Sequence, residues 1–213
     1  MTSRGMAGGY GPPVESRGGT EFAELLAASR LVQDRIAGTA ASVDVLTAAA
    51  ARLRETAELL AQNEAADGEQ HAGYRLDLPG RGHPLLAPFQ VDSLTDDRVE
   101  GRVTLTRAHL SGGGRAHAGA VALLFGEVLG VLSVMGGRLP ARNASLHVNY
   151  RKATPIDREL HVLGRVTGVD GRKIHVVGAL TDGDTVVADA EGLYIKVAPD
   201  IKVAPDIKVA PAG

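Results

Sequence analysis

Gly112, Gly113 and Gly114 lead into His117-Ala118-Gly119-Ala120, and from there an apolar run continues to Met135 with Glu127 as its one charge. A helix opening here presents backbone N–H groups that have no intrahelical acceptor, together with the positive end of its dipole. Such an end suits a developing oxyanion or an anionic group. His117 stands at the opening of this helix and Glu127 about two and a half turns into it. The chain has no cysteine, which excludes thiolate nucleophiles, disulfides and zinc thiolates. Arg142 to Lys173 carries seven basic residues against three acids, which fits either an anionic ligand or a solvated sheet edge defended by cations.

A long helix must carry the His117 motif. Val121, Leu124, Phe125, Val128, Leu129, Leu132 and Met135 recur at helical spacing and form a broad apolar stripe. Gly119, Ala122, Gly126, Gly130 and Ser133 form a second, nearly side-chain-free line where another backbone or a ligand can approach. Before the helix, Phe89 to Asp92 reads as a short strand, and Arg98 to Thr106 alternates, with Val99, Val103 and Leu105 inward. After Gly136 and Gly137 come four strand patterns: Arg142 to Arg151, Leu160 to Val169, Arg172 to Thr181 and Thr185 to Val197. Asp170-Gly171 and Asp182-Gly183 mark hairpin turns. The fold class is α+β: a central helix wrapped by a curved antiparallel sheet.

The remaining chain divides by composition. Residues 1–20 are rich in Gly, Ser and Pro and read as disordered. Residues 21–63 read as a helical hairpin, Glu21 to Ala37 and then a segment capped by Ser42, whose alanine-rich face docks on the following domain or on a second copy. Residues 64–88, punctuated by Gly and Pro, read as a linker, 89–197 as the main domain, and 198–213 as a mobile repetitive tail spelling IKVAPD. A net charge of −2 and 3% aromatic residues give a nucleic-acid partner little charge or stacking surface. No apolar run is long enough to span a bilayer, and the first twenty residues lack the apolar core of a signal peptide, so the expected location is the cytoplasm.

These residues resemble the hotdog-fold acyl-CoA thioesterases of the phenylacetate-pathway, PaaI-like group. The resemblance rests on His117-Ala118-Gly119-Ala120, on Leu146-His147-Val148-Asn149-Tyr150-Arg151-Lys152 with Thr154-Pro155, on Asp170-Gly171-Arg172-Lys173-Ile174, and on Val187 to Tyr194. It covers about Phe89 to Val197, with the motifs in the family's order.

The resemblance implies hydrolysis of an acyl-CoA thioester by water, with coenzyme A as part of the substrate, no separate cofactor and no metal. It places the oxyanion donor at the Ala118 N–H beside Gly119. The family's carboxylate, nine residues after the motif histidine, falls on Gly126, which has no side chain. Glu127 is adjacent but points about 100° away on a helix. It replaces the missing base only if the helix shifts. Supporting polar positions fall on Ser111 and Asn143, and Arg151, Lys152, Arg172 and Lys173 become candidates for the coenzyme phosphates. The resemblance also implies a homodimer or dimer of dimers, with sites between subunits. If the base is lost, the expected function is a non-catalytic acyl-CoA binder or scaffold. A dehydratase of the same fold would need a histidine paired with a helix carboxylate, and this helix offers no such pair.

Overall fold

The computed structural model describes residues 18–75 and 77–197. The IKVAPD tail and most of the glycine-rich start lie outside these residues, but Gly18 to Thr20 already open the first helix. The chain runs through α1 (Gly19–Gly38), α2 (Val43–Ala61), β1 (Gln90–Leu94), β2 (Arg98–Thr104), β3 (Leu110–Gly112), β4 (Arg115–Ala116), α3 (Ala118–Ser133), β5 (Ala141–Tyr150), β6 (Glu159–Asp170), β7 (Lys173–Asp182) and β8 (Thr185–Lys196). Six of the strands form one antiparallel sheet in the order β1-β2-β6-β7-β8-β5, and β3 with β4 makes a small separate hairpin. This is the hotdog architecture, with α3 packed against β2, β5, β6, β7 and β8.

Burial explains why the sheet wraps the helix. Val121, Leu124, Phe125, Val128, Leu129 and Leu132 are all essentially inaccessible and meet Val99, Val103, Leu160, Val162, Ile174, Val176 and Leu180 from alternating positions of the strands. A pair of facing glycines sets how closely the helix approaches. Gly164 and Gly178 are direct partners across β6 and β7. A Cβ at Gly178 would stand 3.1 Å from Phe125 Cδ1, and one at Gly164 would stand 3.2 Å from Leu129 Cδ2. The two glycines make a trough in the sheet that receives these side chains. Gly171 and Gly183, at φ +54° and +56°, make the two expected hairpin turns.

Two expectations change. The stretch before β1 is no slack linker, because it buries Arg75, Leu86, Ala87 and Phe89 and lies as a strap against the domain. Arg75 donates to Gly19 O at 2.9 Å and grips Asp77 with two bonds of 2.7 and 2.6 Å, while Arg30 of α1 donates to Pro79 O at 2.9 Å. Ser42 precedes α2 without a side-chain capping bond, and α2 buries none of its residues, whereas α1 buries Leu26. Asp34 of α1 also accepts from the Ala108 N–H at 3.0 Å, which ties α1 to the turn at Arg107–His109.

Candidate active site

Where α3 begins, His117 sits in extended conformation, and its Nδ1 accepts from the Gly119 N–H at 3.0 Å. The imidazole therefore caps the helix. The His117 N–H donates to His109 O at 2.7 Å, and the Tyr150 hydroxyl donates to Ala118 O at 3.0 Å. The cap within the motif and two bonds to separate segments thus orient the first turn. Ala118 is an exposed residue whose N–H enters no hydrogen bond among the described residues, and it lies at the positive end of the helix. Sequence reasoning passed over Tyr150 as an orienting group. Its signal was only its place in the matching strand beside Arg151.

Further along α3, Gly126 faces β5. A Cβ there would touch only Leu146 Cδ2, at 3.9 Å, and the Tyr194 hydroxyl donates to Gly126 O at 3.2 Å. Asn143 lies opposite Tyr194, and Leu146 opposite Gly192. A bulge between Asn143 and Ser145 restores Asn143 to the helix-facing side of the strand, at its exposed edge. Gly126, Leu146, Tyr194 and Asn143 therefore share one flank, which holds space but no carboxylate.

Glu127 sits on the other flank. Arg81, reaching from the strap, grips both of its oxygens, Nε to Oε1 and Nη2 to Oε2 at 2.9 Å, and the two side chains are only 19% and 12% exposed. Arg81 holds φ +54° between Gly80 and Gly82, and its Nη1 also donates to Gly73 O at 2.9 Å. Sequence reasoning missed Arg81, because its partner is 46 residues away. The left-handed Gly-Arg-Gly turn is its only local trace.

The four phosphate candidates do not form one cradle. Arg151 and Lys152 follow Tyr150, at the end of β5 beside the helix N-terminus, and both backbone N–H groups donate to Val187 O. Arg172 and Lys173 lie at the β6–β7 turn, where Lys173 pairs with Ile195 and the Arg172 Nε donates to Lys196 O at 3.2 Å. Lys196 is itself the partner of Ala141, at the opposite end of β5. Nine residues of strand, about 30 Å, separate the two pairs. Arg151 is engaged by Asp189, with Nη2 to Oδ1 at 3.2 Å, and Asn149 donates to the same oxygen at 2.8 Å. The Arg151 guanidinium first, and then the Asn149 amide, hold Asp189 below the usual carboxylate range. Ser111 is exposed on β3, in the glycine hairpin ahead of the helix.

A curved antiparallel sheet wrapped around an apolar central helix defines a protein of the hotdog fold. The chain belongs to the thioesterase superfamily. It is similar to a protein of known crystal structure described as a thioesterase superfamily protein, with 30% identity and a TM-score of 0.68, over 82% of this chain and 94% of that one. A Pseudomonas aeruginosa conserved protein (24% identity, TM-score 0.48) matches 52% of this chain and 90% of its own. A Streptococcus mutans protein bound to acetyl-CoA (21%, 0.48) matches 50% of this chain and 86% of its own. No family model and no curated protein matches the sequence. No described helix is long and apolar enough to cross a membrane.

Proposed function

We propose that the chain is an acyl-CoA thioesterase of low hydrolytic power, in which the group that stabilises the oxyanion is built and the group that activates water is missing. The observation that carries this reading is the head of α3: an exposed Ala118 N–H on a turn held by His117 and Tyr150. The thioester oxygen sits at that N–H. Water adds to the carbonyl carbon, the C–S bond breaks, and coenzyme A leaves as the thiol. The proton released by the attacking water goes to bulk solvent or to the departing sulfur, since Gly126 provides no carboxylate. Coenzyme A enters only as part of the substrate, and of the four phosphate candidates Arg151 and Lys152 are the pair that lies on the helix-head side to meet its phosphates. The four matching motifs favour the PaaI-like group and a cytoplasmic enzyme. The dimer that this family arrangement implies would use the open flank of α3 and the exposed edge of β5.

The second reading, an acyl-CoA binder without turnover, is favoured by the Arg81 grip on both oxygens of Glu127, which commits that carboxylate to an ion pair. A thiol-release assay over acyl-CoAs of graded length separates the two, and the cysteine-free chain adds no background thiol. Slow turnover that survives Glu127→Gln supports hydrolysis without a glutamate base. Turnover abolished in a folded Glu127→Gln protein would assign the base to Glu127. Saturable binding with no thiol release establishes the binder, and no binding of any acyl-CoA defeats both readings.

A further inference from the structure

The flank of α3 that carries Glu127 is covered by the strap and β1 rather than by the rest of the sheet, and a cavity of about 390 Å³ lies between them. Its walls are hydrocarbon: Leu78, Phe89, Leu94, Val99, Val131 and Met135. Two acids, Asp77 and Glu127, also border it, and an arginine fork holds each of them at both oxygens. Arg75 grips Asp77 at 2.7 and 2.6 Å, and Arg81 grips Glu127. The charges at the wall are thus neutralised in pairs. A ligand bearing its own carboxylate would bring an unmatched charge into this space, which costs far more than a neutral chain of the same length.

We propose that this chamber binds an uncharged hydrocarbon chain. An apolar cavity of about 150 Å³ holds the six carbons of benzene, so on the same scale this one has room for a chain of ten carbons or more, up to about sixteen. The site is separate from the helix head. Glu127 is nine residues from Ala118, about 13 Å along the axis, and it lies on the flank turned away from Gly126. The chain has two possible sources: the far end of a long acyl group whose thioester lies at Ala118, which rests on the proposed function, or an independent neutral lipid. The same walls recognise both. The strap decides access. Gly80, Arg81 and Gly82 all hold left-handed conformations, at φ +63°, +54° and +68°, and a Cβ at Gly80 would fall 2.7 Å from Ala87 O. A turn so constrained holds the Arg81 fork on Glu127 at the chamber wall.

The test uses the full chain with 1-aminoanthracene as a fluorescent reporter and n-decanol as competitor. Decanol is expected to displace the reporter at least tenfold more tightly than decanoate does at neutral pH. Val131→Trp, which fills the chamber, should abolish displacement while the circular dichroism spectrum stays native, and Leu78→Trp provides the same blockade from the strap should the first variant not fold. Displacement undiminished in a folded blocking variant, or decanoate equal to decanol, overturns the proposal. Acyl-CoAs then identify the source. If the acyl chain is the occupant, Val131→Trp raises the KM for dodecanoyl-CoA, or its Kd if there is no turnover, tenfold or more relative to acetyl-CoA. An unchanged ratio assigns the chamber to a separate neutral lipid. Decanol binding in a protein that binds no acyl-CoA at all would retain this site and remove only the thioesterase reading.

Discussion

At the scale of single residues, the site turns on two adjacent positions that point about 100° apart around the helix. Gly126 looks onto an open flank where a Cβ has room, and Glu127 is spent on Arg81. Gly126→Asp should therefore fold, because aspartate is no worse than glycine within a helix and only Leu146 Cδ2 stands within 4 Å of the new Cβ. It places a carboxylate about 2.2 turns, roughly 12 Å, along the helix from the Ala118 N–H. Thiol release is expected to rise by about 10²–10⁴, the usual worth of a positioned general base. A folded variant that binds acyl-CoA as before but shows no gain would mean that the reacting carbonyl does not lie between Ala118 and Gly126. The His117 cap was legible in sequence because it and the first turn it closes belong to one local motif. Arg81 and Tyr150 were not, because their partners lie 46 and 32 residues away and only folding brings them together.

Among the elements, the six strands of the main sheet were read within a residue or two, since alternation of buried and exposed positions is a local property of the chain, whereas the short β3–β4 hairpin was read as a glycine turn. The strap was misread as a linker because its Gly and Pro content is that of a loop, while what orders it, Arg75 on Gly19 and Arg30 on Pro79, comes from α1. The Gly164–Gly178 trough was equally hidden, since register across a sheet cannot be seen in one strand. The turn at Arg107–His109 makes a testable case. His109 Nδ1 accepts from the Thr106 N–H at 3.1 Å, and its carbonyl receives the His117 N–H, so this turn positions the helix head. Burial, the largest influence, lowers the His109 pKa. Asp34 opposes the shift and Arg30 adds to it. A histidine held neutral in the fold binds its proton more readily when unfolded. Its contribution to stability is thus present above the ordinary histidine pKa of about 6.5 and is lost as pH falls through that value toward the folded one. Thermal unfolding should show a larger loss between pH 7.5 and pH 5.5 in the wild type than in His109→Asn, which keeps an acceptor but does not titrate. Equal losses would remove His109 as the cause.

At the scale of the whole molecule, α2 is the element that the single chain leaves unexplained. Val43, Leu46, Ala50, Leu53, Ala57 and Leu60 alternate at spacings of three and four, a heptad seam with leucine at every second place. Leu46, Leu53 and Leu60 are 47%, 41% and 48% exposed. The proposed dimer can cover this seam with a second α2. In antiparallel register, Val43 meets Leu60 of the partner subunit, Leu46 meets Ala57 of the partner subunit, and Ala50 meets Leu53 of the partner subunit, so every layer joins a leucine to a smaller side chain. Parallel register would stack alanine on alanine and leave gaps. Antiparallel pairing also sets each helix dipole against its opposite, and Arg54 then faces Thr47 of the partner subunit rather than a like charge. Because the chain has no cysteine, single substitutions report the register directly. Leu46→Cys mixed with Ala57→Cys should oxidise to a crosslinked heterodimer, while Leu46→Cys alone stays uncrosslinked. Crosslinking of Leu46→Cys to itself would show a parallel pair. No crosslink in either mixture, with the protein still dimeric by sedimentation, would move the interface off α2 and leave the β5 edge and the small-residue flank of α3 to hold the two copies together.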